Sequence, residues 1–347
     1  MNVGIEVLKA RLRAPFVSAS GALRDRELVL LRLEDADGHV GVGEAAPLAD
    51  YHGVSIGDVL EALEAARAML TAMDPSASPR EVLAEWSRLA PQPALAAVDI
   101  AVWDLQGRRA GQPLWRLLGA QAAEPVEVNA TIAAADRASA AAQAGGARAG
   151  GFRCVKAKVG IGDDAGRLAA VRAVLGPGVA LRLDANGAWS VQEAIAALRA
   201  LAPVGIELCE EPVHGLAQNR EVAATIPEVL VALDETASAA GALEERVCGA
   251  VCLKIAACGG VTGLLEAARR ARAAGYEVYL ASTLDGPLGI AAALHAAAAI
   301  DPDRPCGLAT LGLFADRESP LEPADGQIAL PVGPGLGEGL LAWYRSG

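Results

Sequence analysis

The chain has 347 residues, with 42 acidic against 30 basic side chains, a net charge of −12 and only 3% aromatic residues. That balance argues against a nucleic-acid-binding face, which needs clustered Lys and Arg with aromatic rings on which bases stack. No apolar run approaches the roughly 18 uncharged residues of a membrane span.

Residues 1–6 lack the basic start and apolar stretch of a secretory leader, so a cytoplasmic location is expected. The six cysteines lie mostly in or beside apolar runs, as at Cys154, Cys209 and Cys252, and read as reduced thiols rather than a disulfide framework. Neither a phosphate-binding G-x-x-x-x-G-K-[ST] nor a dinucleotide-type G-x-G-x-x-G is present.

In chain order, residues 27–33 and 40–44 alternate around a turn at 35–38 and predict an antiparallel hairpin. Two stretches of small residues, near 16–24 and 49–53, read as lid or surface loops. They contribute Phe16, Ser20 and Tyr51 as candidate substrate contacts. Helical spacing runs from 56 to 89 and again from 94 to 109. From residue 126 short apolar runs alternate with helical patterns at 134–148, 163–175, 191–202, 216–225, 260–274 and 288–299. The tail from 315 is broken by Pro and Gly.

Five of the apolar runs end in a charge: Lys158, Asp184, Glu210, Asp234 and Lys254, at steps of 26, 26, 24 and 20 residues. A strand, a helix and two loops need about that length. A (β/α)8-type, TIM-like barrel brings the C-terminal ends of its strands to one mouth, where such groups meet. The expected organisation is an α+β capping domain over 1–120, the barrel over 121–314, and a tail over 315–347 that packs back on the cap.

Lys156 and Lys158 share one face of their strand. An isolated K-x-K reads as a charged edge strand, but here three carboxylates and a third lysine follow at barrel spacing. Asp184, Glu210 and Asp234 offer hard oxygens suited to Mg²⁺, or to Mn²⁺ in its place, with room left for a substrate carboxylate. The neighbours Glu211 and Glu235 point away by alternation. The four histidines suggest no acid/base dyad.

The ordered set K-A-K, D-A-N-G-A-W, C-E-E-P, L-D-E and C-L-K-x-x-x-C-G-G resembles the enolase superfamily, in its muconate-lactonizing-enzyme subgroup, over nearly the whole chain. The resemblance implies metal-assisted removal of a proton α to a carboxylate. Lys158 and Lys254 would act from opposite sides, Lys156 and the ion would lower the pKa of Lys158, and the metal would stabilise the enediolate.

Within the subgroup, dipeptide epimerases carry a D-x-D near the last strand, which residues 306–316 lack. Segments 43–48 and 306–311 most resemble o-succinylbenzoate synthases, so syn-dehydration in menaquinone synthesis is the leading expectation. Dipeptide epimerase, N-acylamino acid racemase and muconate-type cycloisomerase are the alternatives, and a non-catalytic metal- and carboxylate-binding barrel is the reading from another class. Asn186, Ser282 and Asp285 complete the expected substrate contacts. The partner is a small carboxylate, and a homo-oligomer is expected.

Overall fold

The structure is a computed structural model describing residues 1–18, 21–84, 86 and 90–345. Ser20 therefore lies outside the described residues.

The chain opens with a three-stranded antiparallel sheet, β1 (Asn2–Ser18), β2 (Gly21–Glu34) and β3 (Val40–Ala45), in that order. A register shift between Arg11 and Phe16 marks a bulge, beyond which Phe16 pairs with Leu23. Both of these side chains reach the mouth of the barrel described below. The helices α1 (Ala49–His52), α2 (Ile56–Ala72), α3 (Pro79–Ala84), α4 (Gln92–Ala110) and α5 (Leu114–Leu117) follow.

The helical stretch expected from 56 to 89 is broken in two. Asp74 accepts the Ser76 N–H and hydroxyl in a turn, and Ser78 with Glu81 forms the caps that restart the helix. Helix α4 crosses β3 closely. A Cβ on Gly43 would lie 2.0 Å from the Ala97 carbonyl oxygen, so only glycine permits the approach.

Then come β4 (Val126–Glu127), β5 (Ala130–Ile132), α6 (Arg137–Ala149), β6 (Cys154–Lys158), α7 (Asp164–Leu175), β7 (Ala180–Asp184), α8 (Val191–Leu201) and β8 (Ile206–Glu210). They are followed by α9 (Leu216–Thr225), β9 (Leu230–Leu233), β10 (Ala250–Lys254), α10 (Ile255–Cys258), α11 (Val261–Ala274), β11 (Glu277–Ala281) and α12 (Pro287–Ile300). Seven parallel strands run in the order β11-β10-β9-β8-β7-β6-β5. Cys306 and Gly307 bridge Val128 on one side and Ala281 on the other, so residues 306–307 serve as the eighth stave of a TIM-like barrel.

The period of two in these strands decides what goes where. Val155, Ala157, Leu181, Leu183, Val251 and Leu253 face outward into the main core beneath the helices. Each Val or Leu among them contributes roughly 1.5 to 3 kcal/mol by burial, and Ala157 less. The intervening positions face the barrel axis, where Leu208, Ala232, Ala250, Cys252, Tyr279 and Ala281 form a small separate cluster.

Cap, barrel and tail are joined by buried carboxylates. Asp99 on α4 accepts the Thr262 N–H (3.0 Å) and hydroxyl (2.5 Å) at the start of α11. Asp104 accepts the N–H groups of Val42 (2.9 Å) and, in the tail, Leu336 (2.8 Å). Among the described residues no helix is long and apolar enough to cross a membrane.

Candidate active site at the barrel mouth

Parallel pairing sets Lys158, Asp184 and Glu210 side by side at one level of the sheet. Asp234 lies one residue past β9, and Lys254 ends β10. All five side chains are buried, and ion pairs join them in sequence, Lys158 to Asp184, Asp184 to Glu210 through Lys156, and Lys254 to Asp234.

The Lys158 ammonium donates to Asp184 Oδ2 at 2.6 Å and to Asn186 Oδ1 at 2.7 Å. Lys156 lies between Asp184 (2.8 Å) and Glu210 (2.6 Å). Lys254 reaches Asp234 Oδ2 at 2.5 Å. Two tyrosine hydroxyls complete the carboxylates: Tyr51 donates to Asp234 Oδ1 at 2.6 Å, and Tyr279 to Glu210 Oε2 at 2.8 Å.

The electrostatics follow from this crowding. Burial pushes the Glu210 carboxyl up to about 7, with Asp184 and Asp234 adding to the rise against Lys156. Burial also acts to raise Asp184, but Lys156 and Lys158 outweigh it and hold that carboxyl below the usual range. Lys156 and Lys254 are buried, yet Asp184 and Glu210 for the one and Asp234 for the other keep their ammonium groups above the ordinary lysine value.

The donor set fits a hard divalent ion such as Mg²⁺. Asp184, Glu210 and Asp234 are carboxylates from three successive strands, and among the described residues they meet lysine ammoniums, tyrosine hydroxyls and a backbone N–H. A nearby orphan, the buried Glu235 Oε2, has no hydrogen-bond partner among the described residues. Cys252 Sγ lies with the Glu210 and Asp234 oxygens, all within 4.8 Å of one another. Burial and the same two carboxylates push its thiol well above the usual value, so it stays protonated and makes a poor ligand for a hard ion.

A cavity of about 390 Å³ opens beside Asp184. Lys156, Lys158, Lys254, Asp184, Asn186 and Ser282 line it from the barrel, and Phe16 and Tyr51 from the cap. The Lys158 ammonium stands 5.4 Å from the Phe16 ring centroid, and Lys254 stands 3.9 Å from that of Tyr51. The wall opposite the three carboxylates is formed by Asn129, Thr131, Ser282, Thr283, Gly307 and Thr310, all uncharged.

Two sequence-based placements differ from the structure. Asp285 does not line the cavity. It is buried, accepts the Thr283 N–H at 2.9 Å and hydroxyl at 3.2 Å, and faces the charges of Arg26 and Glu44. Leu284, at φ +60°, turns the loop and takes the cavity position instead.

Glu235, expected to point away, lines the cavity and accepts from Asn186 Nδ2 at 2.9 Å. Asp234 has left strand geometry (φ −129°, ψ −86°) and opens a 3₁₀ turn, so alternation no longer applies. Glu211 does point away. It accepts the N–H groups of Asp234 (2.8 Å) and Thr236 (3.1 Å), which props the Asp234 backbone.

Sequence reading missed Tyr279, Asn129, Thr131 and Thr310. Tyr279 was accessible through the period of two in β11. The other three come from short or irregular staves that carry little pattern.

Comparison with known proteins gives a consistent picture. Residues 2–119 match the mandelate racemase / muconate lactonizing enzyme N-terminal domain, and residues 136–341 match the enolase C-terminal domain-like family. The hydrophobic dipeptide epimerase of Enterococcus faecalis is 31% identical over 308 residues, 86% of either chain. A dipeptide epimerase structure from Enterococcus faecalis V583, complexed with Mg and the dipeptide L-Leu-L-Tyr, superposes with TM-score 0.87 at 27% identity, covering 96% of this chain and 98% of that one. A substrate-liganded L-Ala-D/L-Glu epimerase from Bacillus subtilis gives TM-score 0.88 at 29% identity, covering 97% and 98%. The chain belongs to the mandelate racemase / muconate lactonizing enzyme family of the enolase superfamily.

Proposed function

We propose that the protein is a Mg²⁺-dependent racemase or epimerase that moves the proton on the carbon α to a carboxylate, and that its substrate carries an amide rather than a free ammonium. One observation carries this reading: Lys158 and Lys254, paired with Asp184 and Asp234 at the two ends of the carboxylate triad, both line a single cavity.

Asp184, Glu210 and Asp234 would hold the ion. When bound, it supplies positive charge for the substrate carboxylate as electron density moves onto it. Lys158 as the free amine removes the α-proton from one face, and Lys254 as the ammonium returns a proton to the other. The lysines exchange roles in the reverse direction. Lys156 stays an ammonium between Asp184 and Glu210 and keeps positive charge beside the reacting carboxylate. The Phe16 and Tyr51 rings exclude water from the two amines.

A substrate whose carboxylate lies at the triad extends toward the opposite wall. Among the described residues that wall offers hydroxyls, a side-chain amide and glycine backbone, and the carboxylates that line the cavity elsewhere besides Asp184 are Asp50 on the cap and Glu235 beside Asp234. An N-acylamino acid or N-blocked peptide suits it, and an unblocked dipeptide suits it less.

The o-succinylbenzoate synthase expectation loses its support. The segments that suggested it are used structurally, with Gly43 admitting α4, Glu44 binding Gly286 and Tyr344, and 306–307 closing the barrel. The relatives named above are epimerases. Dehydration remains the second reading because it shares the first proton removal.

The test is incubation with Mg²⁺ in D₂O against N-acylamino acids, dipeptides and the synthase's cyclohexadiene substrate, followed by proton NMR. Loss of the α-proton signal with inversion, strongest for N-acyl substrates, is expected. Inversion confined to free dipeptides would reject the amide assignment, and turnover of the cyclohexadiene alone would reject racemisation.

A further inference from the structure

We infer that Tyr51, on the cap, is a positioning residue for the metal site: its hydroxyl fixes the Asp234 carboxylate and its ring fixes Lys254. This rests on the metal and two-lysine reading above.

The geometry is particular to one side of the mouth. Asp234 divides its oxygens, Oδ1 taking the Tyr51 hydroxyl at 2.6 Å and Oδ2 taking Lys254 at 2.5 Å. The same tyrosine's ring covers that lysine at 3.9 Å, so three groups form a closed triangle. On the Lys158 side the cap supplies Phe16, which has a ring at 5.4 Å but no hydroxyl, and Asp184 is held by Lys156, Lys158 and the Asn186 N–H, all from the barrel. The barrel thus completes the Asp184 end of the triad alone, whereas the Asp234 end depends on the cap.

A second cavity, of about 340 Å³, explains why a brace is needed there. It lies between the end of β10 and the 3₁₀ turn after Asp234, and is lined by Asp234, Lys254 and Tyr51 together with Ser238, Cys258 and Gln92. Asp234 and Lys254 therefore have open space behind them, and Tyr51 borders both cavities. Without its hydroxyl, the Asp234 carboxylate is free to turn toward that space. Partners that orient a metal-binding carboxylate typically carry 10- to 100-fold in metal affinity.

Two variants separate the hydroxyl from the ring. Tyr51→Phe keeps the ring, and titration calorimetry without substrate should show Mg²⁺ binding weaker by about 10-fold or more. Saturating Mg²⁺ should then restore most of kcat. Tyr51→Leu removes both groups. It should add a fall in kcat that Mg²⁺ does not rescue, and α-proton exchange should slow more for the substrate hand deprotonated by Lys254 than for the other.

Wild-type Mg²⁺ affinity in Tyr51→Phe would overturn the inference while leaving the proposed function intact. Equal slowing of both hands in Tyr51→Leu would overturn the part assigned to the ring. Wild-type protein that takes up no Mg²⁺ would overturn both the inference and the function.

Discussion

The two ends of the barrel interior are built from the same kinds of charge to opposite effect. At the mouth, three lysines meet three carboxylates beside a cavity. At the floor, Arg182 and Arg304 meet Glu207 and Glu277 in direct ion pairs. Arg182 donates to Glu207 at 2.7 Å and to the Pro305 carbonyl at 2.6 Å, and its guanidinium stacks 5.0 Å from the Tyr279 ring centroid. Arg304 joins Glu207 to Glu277.

The arginine fork fixes several directions at once and never gives up its proton, so the floor is a permanent plug. A lysine is a point charge on a flexible stem that can lose a proton, which suits the mouth for chemistry. Tyr279 joins the two ends, with its ring on Arg182 and its hydroxyl on Glu210.

The comparison breaks if rate and stability do not separate between the two ends. The largest effect belongs to the mouth. Lys158→Ala and Lys254→Ala should each lower kcat by about 10²- to 10⁴-fold, and each should abolish α-proton exchange from a different hand of substrate by NMR. Thermal melting should change less for Lys158→Ala, whose partner Asp184 keeps Lys156, than for Lys254→Ala, whose partner Asp234 keeps the neutral Tyr51 hydroxyl unless Mg²⁺ is bound. Chelation should likewise abolish turnover, restored by added Mg²⁺, with the far-ultraviolet circular dichroism unchanged. A loss of folded signal would mean the triad is structural.

At the floor, Arg182→Met should cost about 3 kcal/mol in urea unfolding, since it leaves Glu207 with one cation fewer. It should leave KM near wild type. A kcat loss as large as that of Lys158→Ala would refute the separation.

An effect that vanishes above pH 6.5 comes from His295 on α12. Its Nδ1 accepts the Trp115 N–H at 3.3 Å and its Nε2 donates to the Leu336 carbonyl at 3.2 Å, which defines a neutral ring. Burial pushes its pKa down to about 4 from 6.5. Below pH 6.5 the unfolded chain therefore binds a proton that the folded one refuses. Stability present above that pH should fall by up to about 3 kcal/mol on approach to pH 4. His295→Gln should flatten that part of the denaturation profile, and an unchanged slope would show that the ring does not titrate.

The interior face of the barrel was readable wherever a strand kept its period of two. Lys156 and Lys158 share a face because they are two apart, and Asp184 and Glu210 fall at strand ends of matching register. That reading fails where backbone leaves the strand. Glu235 turns inward because Asp234 begins a 3₁₀ turn, and Asp285 turns away because Leu284 adopts a left-handed conformation and Arg26 with Glu44 waits beneath. The lysine-free end of the cap loops gave no sign that Tyr51 would reach Asp234, 183 residues away.

By itself the sequence determined the alternation of strand and helix, the five charges at or just past strand ends, and so the class of chemistry, because these depend on local period and spacing. Only the tertiary structure decided which carboxylates face the cavity, how two bridges at 306–307 close the barrel, and that the cap braces one end of the triad. Those outcomes depend on contacts between segments far apart in the chain, which no local pattern encodes.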